Sequence, residues 1–210
     1  MKKIYFVRHG ESEGNAIRIH QSKDTPLSEI GQSQAKIVAL RFAKIETSLI
    51  IASPYLRARQ TAQAIADRNK LKVETSEFFA ERRGPSELVG ISHNSEQSKQ
   101  IRKELGEHLL DQDGTWIYSD EENAVEFAKR AEAALEFLKQ RPEENITVVC
   151  HALIIRMIFT KILNPHGDLK NLYDIYESFD LNNTGISVAT YDSEKQRWQM
   201  NCINDYSHLG

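Results

Sequence analysis

Three short apolar runs, Ile4-Tyr5-Phe6-Val7, Leu49-Ile50-Ile51-Ala52 and residues 146–150, each end in a polar turn that leads into a stretch of helical periodicity. Apolar runs without alternation read as strands buried on both faces, and such strands alternating with helices fold into a mostly parallel sheet covered on both sides. The fold class expected is therefore α/β, with sites beyond the carboxyl ends of the strands. Residues 31–45 place Ala35, Val38, Phe42 and Ile45 on one helical face. A second helix, opening at Ser53-Pro54, carries Ala58, Ala62 and Ile65, and residues 124–139 and 152–162 form two more. Residues 71–75 are a third candidate strand, while residues 185–191 and 197–203 are β-like runs that flank a candidate hairpin turn, Asp192-Ser193-Glu194-Lys195. Between 82 and 122 the pattern weakens into polar sequence with a short helical stretch at 101–110, which reads as an insertion or cap. With 210 residues, the expectation is one domain over 1–210 carrying this small cap at about 82–122.

Composition narrows the partners. Hydrophobic residues make up 40% and charged residues 27%, as in a soluble globular chain, and a net charge of -3 supplies no field that draws the molecule to nucleic acid or an acidic membrane. Any anion must be met by a local basic cluster. Only four apolar residues separate Lys3 from Arg8, too few for a secretory leader, and no apolar run is long enough to cross a bilayer. Cys150 and Cys202 match neither a disulfide framework nor a metal motif, so a cytoplasmic, reduced protein without metal or cofactor is expected.

The strand ends carry the chemistry. The first run closes in Arg8-His9-Gly10-Glu11, with Asn15 beyond it. A planar guanidinium binds phosphate oxygens in pairs, a glycine lets the backbone approach closely, and an imidazole nitrogen can attack phosphorus. The second run leads into Ser53-Pro54-Tyr55-Leu56-Arg57, where Ser53 suits an N-cap and Pro54 the first helical position, placing Arg57 within the first turn. Helix N-termini attract anions, which adds to that arginine's charge. A third strand ends in Cys150-His151-Ala152 at a strand-to-helix turn, so both histidines belong at one edge of the sheet. Each piece alone also fits a structural histidine or a capped helix with solvated arginines. Cys150 reads as a small buried side chain rather than a nucleophile.

Taken in order, Arg8-His9-Gly10-Glu11, Asn15, Pro26-Leu27-Ser28 with Gly31-Gln32, Ser53-Pro54 with Arg57-Ala58 and Gln60-Thr61, then His151, the chain resembles the histidine phosphatase superfamily, also called the phosphoglycerate mutase-like family. The resemblance spans most of the sequence and implies a three-layer α/β/α sandwich. It implies His9 as nucleophile and Arg8, Arg57 and His151 as the phosphate pocket, with Asn15 as an additional contact and Gly10 as the carbonyl that fixes the His9 tautomer. Three donor groups around an imidazole can stabilise the equatorial oxygens during in-line attack without a metal. Glu81, in Phe78-Phe79-Ala80-Glu81-Arg82-Arg83, stands where the family's general acid resembles it best, with Glu87 in reserve. Its apolar lead-in raises a carboxyl pKa and the arginines lower it, so sequence leaves the sign open.

Two departures matter. Ala152 replaces the glycine that often follows the second histidine, although its N–H remains available to a phosphate oxygen. After Glu81 the sequence Arg82-Arg83-Gly84-Pro85-Ser86 lacks the mutase pattern, and no paired arginines occur between 91 and 122. Metal-independent phosphomonoester hydrolysis through a phosphohistidine is thus expected ahead of mutase-type transfer, and both ahead of a silent phospho-ligand binding module. The partner expected is a small phosphorylated molecule or a phosphoprotein. Arg82, Arg83 and Trp116 in the cap are candidates for selecting it.

Overall fold

A computed structural model describes residues 1–210. Its elements run β1 (Lys2–Arg8), α1 (Glu13–Ala16), α2 (Glu29–Phe42), β2 (Leu49–Ala52), α3 (Leu56–Asn69), β3 (Val73–Thr75), α4 (Glu96–Glu107), α5 (Asp111–Gly114), α6 (Ala124–Gln140), β4 (Asn145–Cys150), α7 (Ala152–Leu163), α8 (Leu169–Tyr176), β5 (Ile186–Asp192) and β6 (Arg197–Asp205). The six strands form one sheet in the order β3-β2-β4-β1-β5-β6. The β3, β2, β4 and β1 strands are parallel, and β5 and β6 add an antiparallel edge. Each buried strand splits its residues between two cores because successive side chains point to opposite faces. Ile4, Phe6, Ile51, Ile146, Val148 and Cys150 join α6 and α7 on one face. Val7, Ile50, Ala52 and Val149 join α2 and α3 on the other. The result is the expected α/β/α sandwich.

Capping explains most boundaries. Ser28 opens α2 by accepting the Gly31 N–H, Ser95 opens α4 in the same way, and Asn123 with Glu126 forms a reciprocal capping box at α6. The α3 helix departs from expectation. Its N-cap is Tyr55 and not Ser53, and helical geometry begins at Leu56 rather than Pro54. The Ser53 hydroxyl is instead engaged by His151 Nε2 at 2.7 Å and by the Tyr55 N–H at 3.2 Å, which leaves it no role at the first turn. The polar stretch 82–122 lies outside the sheet and holds α4 and α5. Its one long helix is Glu96–Glu107, starting five residues ahead of the expected 101–110 stretch.

Candidate active site

The parallel strands β1, β2 and β4 lie side by side, so the residues that follow them meet at one edge of the sheet. Arg8 ends β1 and His9 follows it; Ser53 follows β2; His151 follows β4 as the N-cap residue of α7. The His9 and His151 rings lie 5.0 Å apart, 3% and 0% exposed. Arg57, in the first turn of α3, is 3% exposed and directs Nε to His9 Nε2 at 3.2 Å.

The hydrogen bonds define the imidazoles. His9 Nδ1 lies 2.6 Å from the Gly10 carbonyl oxygen, so the neutral ring carries its proton there and leaves Nε2 unprotonated, its lone pair accepting from Arg57 Nε. Burial, then the charges of Arg57 and Arg8, hold the His9 pKa well below the usual imidazole range. His151 is depressed in the same way, by burial and then by Arg57 and His9. With its Nε2 on Ser53, His151 has Nδ1 buried and without a partner, and Arg8 Nε is likewise buried and unpartnered. Unmet buried polar atoms are costly, and an anion's oxygens would satisfy both. The remaining Arg8 contact is Nη1 donating to the Leu181 carbonyl.

Glu81 settles at the start of α7. Its carboxylate accepts backbone N–H groups from Arg82 at 3.0 Å, Leu153 at 3.2 Å and Ile154 at 3.1 Å. Burial nevertheless outweighs these bonds and Arg57, and pushes its pKa up, which decides the sign that sequence left open. Arg130 fixes the strand of chain leading to it, donating to the Phe78 and Ala80 carbonyls at 3.1 and 2.7 Å while pairing with Glu122 at 2.6 Å.

The structure thus brings His9, Arg8, Arg57, His151 and Glu81 together, and Ala152 begins the helix that holds Glu81. Asn15 is partly committed elsewhere: its side-chain oxygen accepts from the Ser12 N–H at 3.2 Å and hydroxyl at 2.8 Å, so only its NH2 remains to meet a ligand. Glu87 is exposed in a single turn of 3-10 helix, Ser86–Leu88, and makes no bond to the histidines. Arg82 donates to the Glu122 carbonyl and Arg83 to the Asp120 carbonyl, while Trp116 lies against His108 with ring centroids 5.0 Å apart.

Several residues around the site carried no catalytic or binding assignment in the sequence. Ser53 orients His151, Thr61 accepts the Gly10 N–H at 3.1 Å, and the Tyr55 ring lies 5.0 Å from His151 beneath the Arg57 guanidinium. Asn183 donates to the His9 carbonyl at 2.9 Å, and the Thr184 N–H donates to the Arg8 carbonyl at 2.9 Å. Ser53 and Thr61 sit inside the quoted motifs and were findable there. Asn183 and Thr184, far along the chain, gave no such signal.

Comparison with known proteins identifies the family. A family profile described as histidine phosphatase superfamily (branch 1) matches residues 4–205. A protein of Hydrogenobacter thermophilus named "Putative phosphoserine phosphatase 2" is 29% identical over 203 residues, covering 93% of this chain and 92% of its own. One of Yersinia enterocolitica named "Probable phosphoglycerate mutase GpmB" is also 29% identical, over 217 residues that cover 100% of this chain and 95% of its own. Among solved structures, a mutant of the Entamoeba histolytica phosphoserine phosphatase in complex with phosphoserine superposes with a TM-score of 0.78 at 26% identity, covering 100% of both chains. The same enzyme in complex with 3-phosphoglyceric acid gives 0.79 at 25%, again covering 100% of both. The chain belongs to the histidine phosphatase superfamily, branch 1, and is a phosphatase-type enzyme of it.

Proposed function

We propose that the enzyme hydrolyses phosphomonoesters through a phosphohistidine on His9, without a metal ion. The observation that carries this reading is His9, with Nδ1 on the Gly10 carbonyl and an unprotonated Nε2 against Arg57 Nε, its ring 5.0 Å from that of His151, in a cluster where Arg8 Nε and His151 Nδ1 are buried and unpartnered. Arg8, Arg57 and His151 hold the phosphoryl oxygens, and Asn15 offers its NH2. His9 Nε2 forms the N–P bond as the P–O ester bond breaks, and the Glu81 carboxylic acid gives its proton to the leaving oxygen. Glu81, now a carboxylate, then takes a proton from water as that water attacks phosphorus, releasing inorganic phosphate and returning both residues to their starting states. Mutase-type transfer would use the same centre but return the phosphoryl group to the substrate. The engagement of Arg82 and Arg83 with backbone carbonyls, and the missing arginine pair in 91–122, favour hydrolysis. A cytoplasmic setting is consistent with two unpaired cysteines, and no helix is long and apolar enough to cross a membrane.

The direct test is rapid quench of the wild-type enzyme with a 32P-labelled ester, which should trap an acid-labile phosphoenzyme that His9→Ala does not form. Near-normal turnover by His9→Ala would remove His9 as nucleophile. No group of three or more His, Cys, Asp or Glu side chains is placed to hold a metal. Phosphate release should therefore survive exhaustive chelation, and a loss restored specifically by one divalent ion would contradict the mechanism.

A further inference from the structure

Arg156 is the arginine of α7 that the catalytic steps leave unused. It stands one turn beyond Ala152 and Leu153, and long helical side chains lean back toward the helix N-terminus, here the end that carries His151 and holds Glu81. Its guanidinium lies over the Tyr176 ring, 5.9 Å from the centroid, and its side chain is only 18% exposed. Its Nε is buried and meets no partner. Its single ion-pair partner is Asp180, whose carboxylate is 3.4 Å from Nη2 and itself 96% exposed.

Asp180 and the residue after it connect Arg156 to the catalytic centre. The Leu181 N–H donates to the Asp180 carboxylate at 2.9 Å, and the Leu181 carbonyl accepts from Arg8 Nη1. Two arginines therefore converge on one dipeptide, each with a buried Nε that lacks a partner. Arg8 is committed to the phosphoryl group. A second guanidinium beside it, held on an aromatic face and paired only at long range, is a fork suited to a second planar anion. Asp180 already supplies such a group, and its exposure lets it swing away without disturbing the core.

Resting on the phosphatase reading above, we propose that Arg156 binds a carboxylate carried by the substrate near its phosphoryl ester, displacing Asp180, and so selects carboxylated phosphomonoesters. O-Phosphoserine and O-phosphoethanolamine are a matched pair, because they differ only by the carboxylate. The ratio of their dissociation constants, measured by calorimetry in a His9→Ala background that prevents turnover, reads the contact directly. Arg156→Met should cut the preference for phosphoserine by about 10- to 100-fold, the effect of losing a charge-assisted hydrogen bond. Arg156→Lys should restore only part of it, since the ammonium lacks the planar fork. Asp180→Asn should raise the preference severalfold by removing the competing charge. A ratio unchanged by Arg156→Met, or equal weakening of both ligands, would overturn the proposal. Because the readout is binding, wild-type enzyme that released no phosphate would defeat the phosphatase reading and leave this one standing or falling on its own ratio.

Discussion

The proposed mechanism needs His9 unprotonated and Glu81 protonated, and burial shifts the two in those opposite directions. The His9 pKa is lowered, so the acid limb of kcat/KM that belongs to it lies below the usual imidazole range. The Glu81 pKa is raised from 4.5, so the proton needed by an alkyl leaving group is lost only as pH rises through that elevated value. Activity on alkyl phosphates should therefore show an alkaline limb that disappears in Glu81→Gln, together with a rate loss of about 10²- to 10⁴-fold. p-Nitrophenyl phosphate needs little protonation, so its burst should persist in that variant while hydrolysis of the phosphohistidine slows. Rapid quench with both esters separates the steps. Equal slowing of the two bursts would mark Glu81 as a structural contact, and unchanged turnover would move the acid elsewhere.

At the scale of elements, the quoted motifs turn out to be braces for the loop after β1. Ser28 accepts the Gly31 N–H and donates to Glu11, the Ser28 N–H donates to the Glu11 carbonyl, and Gln60 accepts the Leu27 N–H. Gly31 is present because a Cβ there would lie 1.8 Å from the Glu11 carbonyl oxygen, and one on Gly10 would lie 2.6 Å from the Gly31 oxygen. Both obstacles are backbone, so neither can turn aside. Gly31→Ala should push the His9 loop out of place, costing about 1–3 kcal/mol of stability and on the order of 10² in kcat. Chemical denaturation and steady-state kinetics check the two separately, and wild-type values for both would show that the loop is not braced by α2. The strands, the long helices and the meeting of Arg8, His9, Arg57 and His151 at one sheet edge were legible from apolar runs, periodic faces and the motifs that follow the strands, whereas Glu81 was legible only through the family resemblance. The α8 helix was missed although Asp168 caps it and Leu169, Leu172, Tyr173 and Tyr176 keep helical spacing. The true start of α3 was hidden for a different reason: a long-range partner, His151, claims the Ser53 hydroxyl that local rules assign to the cap. Asn183 and Leu181 reach the site only through the chain's return along β5, which no local pattern records.

Across the molecule, an ion pair between the partly exposed Arg130 and the buried Glu122 ties the 82–122 segment to the main body. Arg130 on α6 pairs through two nitrogens with Glu122, at 2.7 and 2.6 Å, and also holds the carbonyls of Phe78 and Ala80 ahead of Glu81. Arg130→Met leaves the Glu122 charge without a partner and should cost about 3–5 kcal/mol. The double variant Arg130→Met/Glu122→Gln should recover part of that loss because no buried charge remains. Urea denaturation of the three proteins checks this, and additive losses would mean that the two residues do not act as a pair.

The central position of β1 also bears on how the chain is made. Its hydrogen-bonded neighbours are β4 and β5, and Lys3 pairs with Asn145, 142 residues later. At ribosomal elongation rates of about 5–20 residues per second, the Ile4–Val7 stretch waits roughly 7–28 s before its first partner strand is synthesised. During that interval it is an unpaired apolar strand in a crowded cell, the kind of segment that seeds association between nascent chains. Lys2, Lys3 and Arg8 bracket it with positive charge, so two like-charged copies repel one another until β4 arrives. Arg8, which the proposed mechanism sets against the phosphoryl group, is thus also one of the charges that flank this strand before it is paired.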